Sequence, residues 1–204
     1  MGKEDNCKEE IFKLKVSKIG LNLKNTVPLQ DICYVSYGLR LNSKKEDPDS
    51  FKKENLLSEN RDKIHKMPYT EGKYIEEYKI TKKLYVEWDT NRCPTRLVRP
   101  TFPELYPPDK LLMARQKRVS TLSEDGVVCD NTIILGVPYY ELKGVKNRSI
   151  SKYFTNLGLD RDEAEEKSRN FDLRYILAIL NSKLTSYILK FNARSKTDSY
   201  PDDW

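Results

Sequence analysis

Three side chains in the first half of the sequence have the types and order that metal-dependent cleavage of phosphodiesters requires. Asp49 follows Pro48, and Glu71 is separated from Lys73 by one residue. In such sites paired carboxylates hold Mg²⁺ and a lysine assists the attacking water. The sequence therefore permits a magnesium-dependent nuclease that uses Asp49, Glu71 and Lys73. Both parts of the pattern lie in polar, breaker-rich segments, which argues against a site built on core strands.

Other reactive groups are few. His65 is the only histidine of the 204 residues, and it lies in a charged segment whose apolar spacing predicts a short helix within residues 51–66. A Ser-His-Asp or Cys-His arrangement would depend on that one residue. The sequence has no phosphate-binding glycine loop, no H-E-x-x-H and no Asn-Pro-Pro-aromatic motif for a flipped adenine. We therefore expect no catalytic site, metal or cofactor in this chain.

The cysteines and the hydropathy indicate a cytoplasmic protein. Cys7, Cys33, Cys93 and Cys129 are scattered and form no C-x-x-C pair. Such spacing is typical of free thiols in a reducing compartment rather than of zinc ligands or disulfides. The mean hydropathy is −0.73. No apolar run approaches the roughly 18 residues of a membrane span, and the N-terminus lacks the apolar centre of a signal peptide.

Positive charge is concentrated in the middle of the chain. The net charge is +6, and residues 92–118 contain seven Lys/Arg and two acidic residues, a balance of +5. Residues 160–174 contain four basic and six acidic residues, a balance of −2. This asymmetry predicts one cationic face that suits a polyanion. A protein-interaction domain whose basic face binds an acidic partner would show the same pattern and stays an alternative.

The spacing of apolar residues predicts the strands, loops and helices that position these charges. Alternating apolar residues predict strands within residues 27–39, 82–89, 109–116 and 126–137. A polar, basic loop is expected between the last two strands. Prolines recur between Pro94 and Pro108, which predicts a long unpaired loop that carries arginines. Two helices are expected at the end of the chain.

The helices have an interruption that needs an explanation. Asp172 is a good first N-cap, and apolar residues recur at helical spacing from Leu173 onward. We expect Asn181 to end the first helix in the left-handed conformation and Ser182 to cap the second. Burial of Leu177, Leu180 and Leu184 would contribute about 2 kcal/mol each.

Strands followed by helices indicate an α+β fold. We expect a mixed, mostly antiparallel twisted sheet with long basic loops, closed by the C-terminal helix pair.

The order of four motifs resembles one known domain. The motifs are LQDICYVSYGL (29–39), PYTEGKYIEEYKI (68–80), PDKLLMARQ with VVCDNTIIL (108–116 and 127–135), and YILAILNSKL (175–184). In this order they resemble the C-terminal target recognition domain of TaqI-like adenine DNA methyltransferases and type IIG restriction-modification enzymes. Type I specificity subunits carry a related module.

The resemblance implies a non-catalytic domain that recognises a double-stranded DNA sequence. Residues 27–204 would be this domain, a fragment of a larger enzyme, and residues 1–26 an extension from an upstream domain. Its partners would be duplex DNA and a methyltransferase or endonuclease domain. S-adenosylmethionine, and Mg²⁺ if the parent enzyme cuts, would bind in that other part.

The expected DNA contacts are planar and cationic side chains in loops. Arginine pairs with guanine and Asn or Gln with adenine, whereas lysine neutralises phosphates. Among the candidates, Arg96, Arg99, Arg115, Gln116 and Arg148 are the expected base readers. The full set is Arg40, Lys44, Lys45, Arg92, Arg96, Arg99, Arg115, Gln116, Lys117, Arg118, Lys143, Lys146, Asn147 and Arg148.

Overall fold

The computed structural model describes residues 26–45, 47, 49–99 and 102–192, with the backbone alone at 99 and 189–192. The expected N-terminal extension, residues 1–26, and Cys7 therefore lie almost wholly outside the described residues.

Strands precede helices along the described chain. The strands are β1 Cys33–Tyr37, β2 Arg40–Ser43, β3 Leu57–Ser58, β4 His65–Thr70, β5 Ile75–Glu76, β6 Lys79–Ile80, β7 Leu84–Glu87, β8 Leu97–Arg99, β9 Lys110–Ala114, β10 Val119–Ser123, β11 Val128–Cys129 and β12 Ile133–Pro138. The helices are α1 Arg148–Leu157, α2 Arg161–Ser168, α3 Leu173–Leu180 and α4 Lys183–Asn192. This composition confirms the α+β class.

The strands form several sheets rather than one. A central antiparallel sheet has the order β1-β12-β9-β10, and a second sheet has the order β11-β4-β7-β3. In the second sheet β11 runs parallel to β4, while the other pairs are antiparallel. Two short ribbons, β2-β8 and β5-β6, complete the described sheets. The expectation of mixed, mostly antiparallel pairing is thus confirmed, and that of a single sheet is wrong.

Alternation along the central strands separates two cores. In β1, Tyr34 belongs to a large cluster that it shares with the second sheet, whereas Cys33 belongs to a smaller cluster under α3. In β9, Leu112 and Leu111 divide in the same way. Successive side chains of a strand point to opposite faces. The central sheet is therefore covered on both faces.

The C-terminal helix pair packs as expected, with two differences. Leu173, Ile176 and Leu177 of α3 are buried on the central sheet, and the Asp172 side chain accepts a hydrogen bond from the amide of Arg174 at 2.7 Å. Leu184, however, is 61% exposed and does not contribute the burial energy expected of it.

The break between the two helices also has a different cause from the expected one. Asn181 is not left-handed, because its φ is −87° and its ψ is 3°. Its side chain instead hydrogen-bonds both backbone groups of Ser120 in β10. Ser182 does cap the second helix, since its Oγ accepts from the amide of Thr185 at 3.1 Å.

Several other local expectations are wrong. The segment expected to be a helix within residues 51–66 forms a 3₁₀ turn, Lys53–Leu56, then β3 and the start of β4. His65 opens β4, where its Nδ1 lies 2.8 Å from a carboxylate oxygen of Asp62. The proline-rich segment is not wholly unpaired, because it contains β8. These elements are short, so tertiary pairing outweighs local periodicity.

Strand β10 and helices α1 and α2 were not expected, and one expected strand is divided in two. Strand β10 occupies the segment expected to be a loop, and the expected strand over residues 126–137 is divided into β11 and β12. Helix α1 buries Ile150 and Phe154 in the large core, whereas α2 is mostly polar. The side chains of Asn147 and Asp160 accept backbone hydrogen bonds at the two N-termini.

Gly38 lies against the backbone of the segment that connects β11 and β12. A Cβ atom built on it would lie 2.3 Å from the carbonyl oxygens of Cys129 and Asp130. The amide of Leu39 donates to the Cys129 carbonyl at 2.9 Å. Glycine is therefore required where β1 leaves the central sheet and crosses the β11–β12 connection.

The described cysteines are free thiols, as expected. Cys33, Cys93 and Cys129 are all buried and unpaired with one another. Burial raises the pKa of each thiol to about 12. Among the described residues, no helix has the length and apolar character needed to cross a membrane.

Candidate nucleic-acid interface

The turn between β9 and β10 carries the densest group of expected DNA contacts. Ala114 pairs with Val119 across the hairpin, so Arg115, Gln116, Lys117 and Arg118 form the whole turn. The amide of Arg118 donates to the Ala114 carbonyl at 3.0 Å. Arg118 has a φ of 55°, a left-handed conformation that is uncommon outside glycine.

Arg115 is held flat against the end of β1. Its guanidinium carbon lies 4.8 Å from the ring centroid of Tyr37, and its Nη1 donates to the Asn131 carbonyl at 3.5 Å. A cation over an aromatic ring at this distance is stabilised by about 0.5–1 kcal/mol at an exposed site. The side chain therefore enters any complex in a restricted orientation.

Lys117 connects the hairpin turn to the segment that follows β4 and to β5. Its Nζ donates to the carbonyls of Lys73 at 2.6 Å and of Ile75 at 3.1 Å. A cavity of about 240 Å³ opens beside this contact. We call it the lysine cavity. It is lined by Lys53, Glu71, Gly72, Lys73, Gln116, Lys117, Asp130 and Thr132.

Glu71 forms the floor of the lysine cavity and pairs with two lysines from different elements. Its Oε1 lies 2.9 Å from Lys53 Nζ, and its Oε2 lies 2.7 Å from Lys73 Nζ. Burial alone would raise the pKa of Glu71, but the hydrogen bonds from Lys73 and Lys53 outweigh it and leave the pKa below its ordinary value. Glu71 is therefore an ionised, buried carboxylate that fixes the two lysine ammonium groups.

Asp130 is the second carboxyl of the cavity and behaves differently. It is 6% exposed, and burial raises its pKa, as does the charge of Glu71. Its Oδ1 accepts from the amide and hydroxyl of Thr132. The Thr132 hydroxyl in turn accepts from the amide of Gly72 at 2.8 Å. This chain of hydrogen bonds connects the two sheets at the cavity.

The β2-β8 ribbon carries four more of the expected contacts. Arg40 pairs with Arg99 across the ribbon. Arg40 follows Tyr37 by three residues, so the Cα atoms of these two residues lie within about 11 Å of each other. Lys44 and Lys45 follow β2 and are exposed. Arg40 is exposed as well, so this part of the chain adds positive charge to the surface.

Arg92 and Arg96 are committed to carboxylates within the fold. Arg92 pairs through two nitrogens with Glu87, which is 2% exposed. Arg96 pairs in the same bidentate manner with Asp47. Each guanidinium group also lies 5.7 Å from the Phe51 ring centroid.

These pairs change the interpretation of the proline-rich segment. The expectation that Arg92 and Arg96 are available for DNA is not supported, because both stabilise the segment instead.

The second basic group lies away from the first. Ile133 of β12 lies beside the hairpin turn, whereas Pro138 ends β12 about 17 Å further on. Lys143, Lys146, Asn147 and Arg148 follow that far end. Asn147 caps α1, with its Oδ1 accepting from Ser149 at 2.8 Å, and Arg148 is the first residue of α1. The expected single set of contacts thus comes from two parts of the chain, the hairpin turn and the segment after β12.

The carboxylates of the nuclease alternative are not assembled as that alternative requires. Asp49 is exposed and lies 3.9 Å from Arg96, while both oxygens of Glu71 are paired with lysines. Asp130, not Asp49, is the carboxyl beside Glu71. Among the described residues, no group of three or more His, Cys, Asp or Glu side chains could hold a metal.

Sequence reasoning missed Lys53 as a site residue and considered Lys73 only as a catalytic lysine. It also missed Tyr37 and Thr132. The signal available was Glu71 itself, an acidic residue two positions from Tyr69 and from Lys73, since a buried carboxylate requires a cationic partner.

Comparison of the chain with protein-family models and with curated proteins gives no match.

Proposed function

We propose that this chain is a double-stranded DNA target recognition domain of a restriction-modification enzyme. It binds DNA without catalysing a reaction itself, and it positions the target for methylation or cleavage in the cytoplasm. The partner is a methyltransferase or endonuclease domain, in the same or another chain, which binds S-adenosylmethionine and, if it cuts, Mg²⁺.

The observation that carries the proposal is the hairpin turn of residues 115–118. It presents three cations and one carboxamide on four successive residues, and three of the four are restrained. Arg115 stacks on Tyr37, Lys117 is bonded to two carbonyls, and Arg118 adopts a left-handed backbone. Restraint before binding reduces the entropy lost on ordering the side chains.

The side chains of the turn suit different parts of a duplex. A guanidinium group matches the O6 and N7 acceptors of guanine, and a carboxamide such as that of Gln116 matches N6 and N7 of adenine. Each such pair discriminates by about 1–3 kcal/mol against the wrong base. Lysines and Arg40 of the β2-β8 ribbon supply phosphate contacts, which give affinity and register.

The function is tested by measuring duplex binding by the full chain and by two matched variants. Fluorescence anisotropy with a labelled pool of random duplexes, at several salt concentrations, gives affinity and its salt dependence. The test variant is R115A/K117A/R118A. The control is K143A/K146A/R148A, which removes the same charge from the far end of β12. We expect the test variant alone to weaken binding and to reduce the salt slope by about 0.9 for each phosphate that is no longer neutralised.

Sequencing of the bound duplexes tests sequence recognition. The wild-type chain should enrich one short motif, and R115A or Q116A should relax the choice at one position. Equal weakening by both triple variants would contradict the assignment to the hairpin turn. An affinity for poly-glutamate equal to that for duplex DNA would favour the protein-interaction alternative. Mg²⁺-dependent cleavage of DNA that is lost on Glu71→Ala would favour the nuclease.

A further inference from the structure

We infer that the lysine cavity holds one phosphate group of the bound DNA backbone, between the ammonium groups of Lys53, Lys73 and Lys117. This inference rests on the DNA-binding function proposed above, and it adds a contact that Lys117 of the turn shares with two lysines from other segments.

The three ammonium groups come from three separate parts of the chain. Lys53 belongs to the 3₁₀ turn before β3, Lys73 to the turn after β4, and Lys117 to the β9–β10 hairpin. All three line one cavity of about 240 Å³. Convergence of like charges from distant segments is unfavourable in the free protein unless something compensates it.

Glu71 supplies only part of that compensation. Its carboxylate pairs with Lys53 and Lys73, while Lys117 is bonded to two carbonyl oxygens instead. The other carboxyl, that of Asp130, has a pKa raised by burial. Three ammonium groups therefore face at most two negative charges, and the cavity keeps a positive balance.

A phosphate group suits this balance better than the other common ligands. The cationic walls exclude a metal ion, and an ammonium group has three N–H donors. Lys53 and Lys73 each direct one N–H toward Glu71, and Lys117 directs two toward carbonyl oxygens. The remaining donors can converge on the oxygens of one phosphate.

The position of the cavity identifies the phosphate as one from the DNA backbone. Gln116 belongs both to the cavity wall and to the turn that would read bases. A phosphate held here would fix the register of the turn on the duplex, because phosphate contacts position the protein while base contacts select the sequence. Glu71 is then a positioning residue, since it orients two lysines and touches no DNA.

The test removes the charges without leaving a buried carboxylate unpaired. In K53M/E71Q/K73M the two lysines and their partner are neutralised together, for a net change of one positive charge. K152M, which replaces an exposed lysine of α1 that is not among the expected DNA contacts, is the matched control with the same net change. We expect the triple variant to bind the duplex pool about 10-fold more weakly and with a salt slope shallower by about 0.9. The control should change affinity less than twofold.

A second measurement separates this inference from the proposed function. Titration of the full chain with inorganic phosphate, followed by NMR, should shift the amide signals of Gly72, Gln116 and Thr132, whereas chloride should not. If the wild-type chain fails to bind duplex but shows these shifts, the proposed function fails and the phosphate site stands. If it binds duplex and K53M/E71Q/K73M binds equally well, the inference alone is overturned. The absence of both duplex binding and phosphate shifts overturns both.

Discussion

The side-chain amide of Asn181 makes two hydrogen bonds with the backbone of Ser120, one with its N–H and one with its carbonyl. Asn181 Oδ1 accepts from the Ser120 amide at 2.8 Å, and Nδ2 donates to the Ser120 carbonyl at 2.9 Å. Ser120 lies in β10, at the edge of the central sheet. Asn181 therefore supplies the two hydrogen bonds that a further antiparallel strand would make. The interruption between α3 and α4 brings this amide to the sheet edge.

Substitution of Asn181 should destabilise the fold. N181A leaves the buried Ser120 amide without this partner, which should reduce the free energy of unfolding by about 1–3 kcal/mol. N156A, on the exposed face of α1, is the control and should change it by less than about 0.5 kcal/mol. Urea denaturation followed by circular dichroism measures both. Equal stability of N181A and N156A would contradict the structural role of the amide.

The helix pair shows what the sequence could and could not predict. Its spacing, its break and the caps at Asp172 and Ser182 are local features, and the sequence predicted them. The partner of Asn181 lies 61 residues away, and no local pattern reports such a contact. Strand β10 was missed for the same reason, because Ser120, Thr121 and Ser123 are buried polar residues whose burial depends on neighbours.

Gly38 should tolerate no larger side chain. A methyl group there would meet two backbone carbonyl oxygens at 2.3 Å, and backbone cannot move away as a flexible side chain can. We expect G38A to lose at least about 3 kcal/mol of stability or to fail to fold. G144A is the control, since its φ is 77° and nothing lies within 4 Å of the added atom; it should cost about 1–2 kcal/mol. A G38A protein as stable as G144A would be incompatible with this crossing.

Arg92 should matter for stability rather than for DNA binding. R92M leaves Glu87 buried with the Thr90 hydroxyl as its described partner, so we expect a loss of about 1–3 kcal/mol, allowing for the part of Arg92 that solvent reaches. R92M/E87Q should recover part of this loss because no buried charge remains.

The salt slope of duplex binding by R92M distinguishes the two roles, provided that it is measured where the variant is folded. It should equal the wild-type slope. A shallower slope with unchanged stability would instead make Arg92 a phosphate contact.

The candidate site was predictable only in part, and Arg92 shows why. The sequence identifies which residues are cationic. Whether these residues are available to bind DNA depends on whether acidic residues elsewhere in the chain form ion pairs with them. Asp47 is 49 residues from the Arg96 that it binds. The turn of residues 115–118 was located only approximately, because the strand was expected to extend to residue 116 and the segment that forms β10 was expected to be a loop. The lysine cavity required two sheets to meet, which is a tertiary property.

Lys110 should make stability depend on pH in the alkaline range. It is fully buried in β9, and its Nζ donates to the carbonyl of Tyr106 and, at 3.0 Å, to that of Pro108. Burial lowers the pKa of Lys110 from 10.5 to about 8. The unfolded chain therefore binds more protons between these two values, so the contribution of Lys110 to stability rises with pH across that window. Below pH 8 the folded chain bears the full cost of burying the charged form.

The comparison of wild type with K110M isolates this effect from other titrations. The buried thiols act in the opposite direction. Their pKa values are raised in the folded chain, so the thiols of the unfolded chain ionise first. The contribution of the thiols to stability therefore falls as the pH rises. The effects of Cys33 and Cys93 are the same in both proteins and cancel in the difference. The charge of Cys129 interacts with that of Lys110, so both proteins are compared in a C129A background. Between pH 7 and pH 10, wild type should gain about 2.5 kcal/mol relative to K110M in urea denaturation. K66M, an exposed lysine of β4, should show a constant difference. A constant difference for K110M as well would mean that the Lys110 ammonium is as well solvated in the folded chain as in the unfolded one.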